Sequence, residues 1–364
     1  MKILVLIKRF STNKDLVMQD FGRQVRLFEH IRDLGHEVDF LCMDFKKFES
    51  KTVRKNKINY YIEPFSLTKL GIFLRKLDTL LRTNNYNVIV AATSPLLGIV
   101  GYFYSKKYKI KFAYDLQDSF DIYDEYKIPF VRLFDKYVIK NCDVLICVSR
   151  TLMHRVRRFR KKPTYVVENG IEKDLFKPID KLTARKVLHL PLKAKIIVHI
   201  GLLARIKGYD IMIDAFRKVR HKYPEAYLLL SGEIYKYDQD IKLGQEHVIF
   251  RKFPKRQDVV LGINAADVAM LPNPKNNFTE YSFPYKIVEY MACNVPIVAT
   301  RIGDVAVLLK KYKGSLCEPN ADDMSEKIIK KLQKDKRVDY SKDLKKFDWK
   351  VLAEKLNEIW NSLE

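Results

Sequence analysis

The chain has 364 residues, 47% of them apolar, and a formal net charge of +24. That length exceeds one ordinary core and suits two domains, and the apolar share excludes a disordered chain. The charge points to an anionic partner such as nucleic acid, an anionic membrane or a phosphorylated substrate, with compositional drift as the equal alternative.

Read in chain order, "KILVLI" at the start is a buried parallel strand, and the apolar run there is too short for a signal peptide. Residues 22–35 form a helix ending at Gly35, and "HEVDFL" is the next strand. In "SLTKLGIFLRKLDTLLR" (66–82), Leu67, Leu70, Leu74, Leu77 and Leu81 share one helical face flanked by Lys69, Arg75, Lys76 and Arg82. That stripe reads as core packing or as a lipid-facing surface. The uncharged run 88–105 nears the length of a membrane span, but Ser94-Pro95 splits it into a strand and a helix with Pro near its start.

"IKFAYDL" and "DVLICVS" continue the strands, and the basic segment "RTLMHRVRRFRKK" (150–162) is the better candidate for an anionic membrane surface. "TYVVENGIEKDLFKP" then breaks the rhythm as a linker would. A second series follows in "KIIVHIG", "AYLLLSGE", "HVIFRKF", "DVAMLP", "VPIVAT" and "GSLCEP". Continuous β-branched runs between helices predict parallel sheets covered on both faces. The expected fold is α/β, with two doubly wound domains and ligands bound at strand carboxyl ends in a cleft between them.

The five cysteines, at 42, 142, 147, 293 and 317, are irregularly spaced and read as reduced thiols of a cytoplasmic chain. None of the seven histidines has metal-ligand spacing. His199 lies within an apolar strand and reads as a core residue beside Gly201. The Asp-x-Asp in "YDQD" (237–240) reads as a solvated turn, so no metal is expected. No recognition module for nucleic acid is apparent, and "LVLIKRFSTNKD" lacks the glycines of a dinucleotide fingerprint.

Two segments carry chemistry. In "HIGLLARIKGYD", Gly201 ends a strand and lets backbone approach a ligand, while Arg205 and Lys207 stand where a phosphate would meet the next helix. An ordinary basic turn is the equal alternative. "EYSFPYKIVEYMACNVPIVAT" (280–300) reads as one helix running into a strand. Ser282 is its expected cap and Pro284 its first turn, Lys286 adds charge, and Glu289 either pairs with a neighbouring lysine of an ordinary helix, the favoured reading of this stretch alone, or accepts hydrogen bonds from a ribose diol.

"GHEV", "SRTL", "ENGIEKDLFKP", "GLLARIKG", "PYKIVEYMACNVPIVAT" and "GSLCEPN" occur in the order and spacing of the retaining family 4 glycosyltransferases, which the chain resembles over nearly its whole length. The resemblance implies a GT-B fold. Its acceptor-side domain would span 1–172, with helix 349–364 crossing back onto it, and its nucleotide-sugar domain 173–348. It implies transfer of a hexose-type sugar from a UDP- or GDP-sugar to a glycan or lipid-linked acceptor, with no separate cofactor, and the basic segments of the first domain suit a peripheral place at the cytoplasmic membrane face. Glu289 would hold the donor ribose, Ser282 and Phe283 would offer N–H groups to the diphosphate, and Lys207 would neutralise it. Gly22 would sit in the loop nearing donor and acceptor, and Phe253 in the loop holding the base.

Three positions depart from the pattern. Leu202 replaces an arginine, with Arg205 as its substitute; Tyr281 takes the place of the first paired glutamate, displaced to Glu280; and Gln117, before Asp118, replaces a histidine. They keep a second reading open, a degenerate subunit of a glycosyltransferase complex.

Overall fold

The computed structural model describes residues 1–11, 14–20, 22–66 and 68–362. The chain divides into two units, Met1–Asn169 with Trp349–Glu364, and Gly170–Asp348. Residues 170–172 belong to the second unit because Ile171 donates its N–H to the Phe347 carbonyl at 2.8 Å and bridges to Asp348.

The first unit holds β1 (Lys2–Lys8), a short antiparallel ribbon of β2 (Phe10–Ser11) and β3 (Lys14–Asp15), then β4 (Glu37–Asp44), β5 (Lys51–Lys55), β6 (Ile58–Pro64), β7 (Val88–Ala92), β8 (Lys111–Leu116), β9 (Val144–Cys147) and β10 (Thr164–Val166). Its main sheet runs β10-β9-β8-β7-β1-β4-β6-β5, parallel except for the β5–β6 pair at the edge. Sequence reading omits that hairpin. Its turn places Asn56 and Lys57 at φ 47° and 61°, the left-handed pair of a type I′ turn, with a lysine where glycine would signal it. The run 88–105 splits as expected into β7 and the helix Pro95–Tyr108. Among the described residues, no helix is long and apolar enough to cross a membrane. The terminal helix Trp349–Asn361 buries Leu352, Leu356 and Trp360, and Asn357 reaches His36 at 2.6 Å.

Of the two segments weighed as lipid-facing, the leucine stripe turns inward and the basic stretch 150–162 is partly engaged within its own unit. The helix Leu70–Thr83 buries Phe73, Leu77, Leu80 and Leu81, so its stripe faces the core; Leu67 lies outside the described residues. In 150–162, Arg160 is buried and donates to the Ile139 and Pro163 carbonyls at 2.7 and 2.8 Å. Arg155 pairs with Asp121 at 2.7 Å. Arg155 and Arg160 thus answer acceptors of their own unit, while Arg150, Arg157, Arg158, Lys161 and Lys162 remain exposed.

The second unit holds β11 (Ile196–Ile200), β12 (Tyr227–Ser231), β13 (Val248–Phe250), β14 (Val268–Leu271), β15 (Ile297–Thr300) and β16 (Leu316–Cys317). The order is β13-β12-β11-β14-β15-β16, all parallel. This is the doubly wound 3-2-1-4-5-6 order, whose switch point lies between β11 and β14. The strands are mainly apolar, with His199, Ser231 and Thr300 toward their carboxyl ends, and the core gathers Ile197, Leu228, Val268 and Val298. All five cysteines of the chain are buried thiols.

Candidate active site

At the carboxyl end of β11, Gly201 adopts φ +141°, and a Cβ there would lie 2.4 Å from the Lys286 amine. The glycine therefore makes room for a lysine of the same unit, where the sequence suggested room for a ligand. Gly208, after the 3-10 turn Arg205–Lys207, has φ +89°, and a Cβ there would lie 1.8 Å from the Pro272 carbonyl oxygen beyond β14. Both loops of the switch point thus meet backbone to backbone. Gly208→Ala must move one of them, and we expect it to cost about 2 kcal/mol or more in thermal denaturation. An unchanged melting temperature would show that the loops are not locked together.

Asn276 fastens the same loops. Its Oδ1 accepts the N–H groups of Phe278 and Thr279 at 3.0 Å, and its Nδ2 donates to the Ile206 carbonyl at 3.0 Å. Phe278 is thereby presented to Lys207, whose amine stands 3.8 Å from the ring centroid. A cation held over a ring keeps fewer rotamers and a defined position. Sequence reading missed both residues, since their role depends on a contact across about 70 positions of chain.

The stretch that reads as a single helix is two. Asn277–Tyr281 ends at Ser282, and a second helix, Tyr285–Ala292, follows with Pro284 at its N-cap. Ser282 is extended at φ −87°, ψ 158°, and its hydroxyl donates back to the Thr279 carbonyl at 3.3 Å. It therefore finishes the first helix and does not cap the second, which has no side-chain cap. The buried Phe283 ring packs against Phe347 at 5.3 Å. Glu280 and Tyr281 close the first helix, and Gly303 lets the Glu280 carbonyl approach closely, since a Cβ there would stand 2.5 Å from it.

Lys286, in the first turn of the second helix, points into the sheet end. Its amine lies 3.3 Å from His199 Nε2, while His199 Nδ1 lies 3.2 Å from the Met270 carbonyl. The carbonyl can only accept, so Nδ1 carries the proton and Nε2 receives a hydrogen bond from Lys286. Burial, then the charge of Lys286, push the imidazole well below its usual value, which keeps His199 neutral. Burial, then the charge of Lys207, bring the Lys286 amine down to about 7, against an opposing pull from Glu289.

Glu289 lies one turn further on, 3.7 Å from Arg256, which also binds Glu172 at 2.6 Å and stacks on Phe176. Arg256 and Glu172 were not singled out from sequence, although Glu172 lies in the quoted "ENGIEKDLFKP". Phe253 rests its ring on Gly262, where a Cβ would stand 2.4 Å away.

Arg205 has a different employer from the one expected. It binds Asp240 through two nitrogens at 2.8 and 2.6 Å and Asp238 at 3.2 Å, with Asp210 at 3.7 Å. Three carboxylates neutralise it, so it offers a diphosphate little net charge. The Asp-x-Asp of "YDQD", read as a solvated turn, is the clamp on this arginine.

In the first unit, Gly22 precedes the helix Arg23–Asp33 at φ +98°, where glycine is favoured. Arg23 grips Asp115 at the end of β8 through two bonds of 3.0 Å. Gln117 donates to the same carboxylate at 3.0 Å and accepts from Gln24, so Gln117 and the Gly22 turn are joined through Gln24. Asp118 accepts from the Tyr123 hydroxyl at 3.2 Å.

Two α/β units with this topology, and a basic cluster at a switch point, define a GT-B architecture. Two family models match in succession: Glycosyltransferase Family 4 over residues 24–175 and Glycosyl transferases group 1 over residues 180–347. The chain belongs to this family of glycosyltransferases. An uncharacterized glycosyltransferase of Methanocaldococcus jannaschii, MJ1178, is 24% identical over 241 residues, 64% of this chain and 63% of that protein. A D-inositol 3-phosphate glycosyltransferase of Corynebacterium urealyticum is 26% identical over 257 residues, 64% of this chain and 59% of that one. The matched region thus spans about 60% of these relatives' length. Among solved structures, sucrose-phosphate synthase from Thermosynechococcus elongatus superposes with a TM-score of 0.78 at 19% identity, covering 100% of this chain and 99% of that one. Anabaena Alr3699/HepE in complex with UDP-glucose gives 0.75 at 20% identity, covering 100% of both. At these identities the structures speak for the fold.

Proposed function

We propose that the protein transfers a hexose-type sugar from a nucleoside diphosphate donor to a glycan or lipid-linked acceptor, with retention of anomeric configuration. The observation that carries this reading is the Lys286 amine set against Gly201 and His199 at the carboxyl end of β11, where the like charge of the half-exposed Lys207 opposes its own. Holding a desolvated cation near a second one costs free energy, and an anion at the strand ends offsets it. Glu289 beside them would accept the ribose hydroxyls, and the side-chain-uncapped start of Tyr285–Ala292 would add N–H donors.

In this mechanism the bond from the anomeric carbon to the diphosphate oxygen breaks as the acceptor oxygen bonds to the same face of that carbon. The departing diphosphate takes the acceptor's proton, and Lys207 and Lys286 stabilise the charge that develops on it. Glu280 is the carboxylate that would serve a covalent alternative. Arg205 has no assigned part, since its aspartates already neutralise it. Gln117 and Asp118 are proposed to hydrogen-bond sugar hydroxyls, Gly22 to bring backbone near them, and Phe253 to sit beside the base. The proposal assigns no metal, since Asp238 and Asp240 are engaged by Arg205.

The Anabaena neighbour is solved with UDP-glucose, which supports UDP-sugars as the first donors to test. A thermal-shift panel of UDP, GDP and their sugars is expected to show one nucleotide series raising the melting temperature, because a ligand bound only by the folded state stabilises it by mass action. Flat traces across the panel would end the reading.

A further inference from the structure

The helix Val131–Asn141 carries an unusual outer face. It buries Val131, Asp135, Val138 and Ile139. Outward it presents Phe130 at its cap, then Leu133, Phe134 and Tyr137, with exposures of 71%, 65%, 46% and 51%. The spacing i, i+3, i+4, i+7 makes these one stripe. Phe103 of the neighbouring helix Pro95–Tyr108 extends it, its exposed ring meeting Phe134 edge-on with centroids 6.4 Å apart. Large exposed apolar surfaces of this kind mark interaction sites.

Phe130 sharpens the point. Its backbone is left-handed, φ 64° and ψ −13°, which costs a non-glycine residue about 1 kcal/mol. A phenylalanine held in that conformation with its ring in water gains nothing from the unit's own core.

Charge identifies what covers the stripe. The exposed charges of this helix are Arg132, Lys136 and Lys140, and its one acid, Asp135, is buried under the Tyr114 and Tyr126 hydroxyls. Arg132 reaches Asp121 at 3.4 Å, and Lys106 and Lys107 on the helix beside it reach Asp143 at 3.6 Å and Asp78 at 2.6 Å, so Lys136 and Lys140 lead the positive rim. A second copy of the chain docked through this face would bring cations against cations. An anionic bilayer matches both features, since aromatic side chains settle at the headgroup boundary while flanking cations meet lipid phosphates.

We propose that Phe103, Phe130, Leu133, Phe134 and Tyr137, rimmed by Arg132, Lys136 and Lys140, form a surface that docks the protein on an anionic membrane. The inference deepens the proposed function by favouring an acceptor carried at a lipid surface, and it stands on the first unit alone.

The test is sedimentation with vesicles of phosphatidylcholine, with and without phosphatidylglycerol. The wild-type protein is expected to bind the anionic vesicles at least about tenfold better, and to lose that binding as salt rises. The double variant F130S/L133S and the triple variant R132E/K136E/K140E should each lower binding about tenfold or more. Phe130→Gly relieves the backbone and should keep or raise the melting temperature while weakening vesicle binding; a purely structural phenylalanine would do the reverse. Equal binding to both vesicles, or unchanged binding by the variants, overturns the inference. So does a wild-type dimer in sedimentation velocity that F130S/L133S renders monomeric. Thermal shift by the sugar nucleotides is measured on the same samples: its persistence with vesicle binding absent would sink this docking surface and leave the proposed function standing.

Discussion

Lys207→Ala is expected to lower kcat by roughly 10²–10³-fold at saturating donor, with little change in the acceptor's KM. The amine is held over Phe278 by a loop that Asn276 and Gly208 fasten to the neighbouring strand. A cation positioned in advance does not reorganise when charge develops on the leaving diphosphate, so its loss falls on the transition state more than on the ground state. Arg205 cannot substitute, because three aspartates already engage it. Full turnover in the variant would remove Lys207 from the chemistry. Failure of both the variant and the wild type to turn over any donor would instead favour the non-catalytic subunit.

The second large effect is on pH. In the unliganded protein the Lys286 amine titrates at about 7, held down chiefly by burial. A diphosphate beside it restores the charged form, so above that pH binding must import a proton. Affinity for a UDP-sugar, whose own diphosphate does not titrate nearby, should therefore fall by up to about tenfold per pH unit above 7. Stability of the unliganded protein runs the other way. Between about 7 and the ordinary lysine value near 10.4, the unfolded chain holds a proton that the folded one lacks, so stability rises with pH across that window. Below 7 the full cost of a buried charge is present.

Lys286→Met should flatten both slopes. It should keep or increase stability, because an apolar chain of similar length replaces a buried cation, while donor binding at pH 6 weakens. Calorimetry in buffers of different ionisation enthalpy reads the proton uptake directly. Identical pH profiles for variant and wild type would show that the amine is charged throughout. In Lys207→Ala the midpoint should move upward, since the charge of Lys207 is the second cause of the depression.

Much of this was legible in order. The apolar runs that became β1, β7, β11 and β14 are nearly continuous because parallel strands are covered on both faces, and that signal needs no partner residue to be read. The edge hairpin β5–β6 escaped because its turn reads Asn56-Lys57, and its strands mix charge with apolar residues, as a sheet edge allows.

The segments that carry the candidate site stand out in the sequence, while their local geometry does not. Lys207, Lys286 and Glu289 lie in segments whose polar residues stand out against apolar neighbours. Ser282 was misjudged because Ser-x-Pro suits a helix start, whereas here the serine ends the preceding helix. Gly201 was correctly marked as a close approach, but its neighbour is the Lys286 amine.

Local pattern alone determined the alternation of strands and helices, the two-unit organisation around 170 and the polar segments at 201–208 and 280–289, because periodicity and turn residues act over a few positions of chain. The fold decided which charges are at work. It turned Arg205 onto Asp238 and Asp240, drew Lys286 onto His199 across 87 positions, and turned the leucines of 70–81 inward while leaving Phe130, Leu133 and Tyr137 outside. Charge and burial depend on neighbours brought together through space, and those neighbours exist only once the sheets have formed.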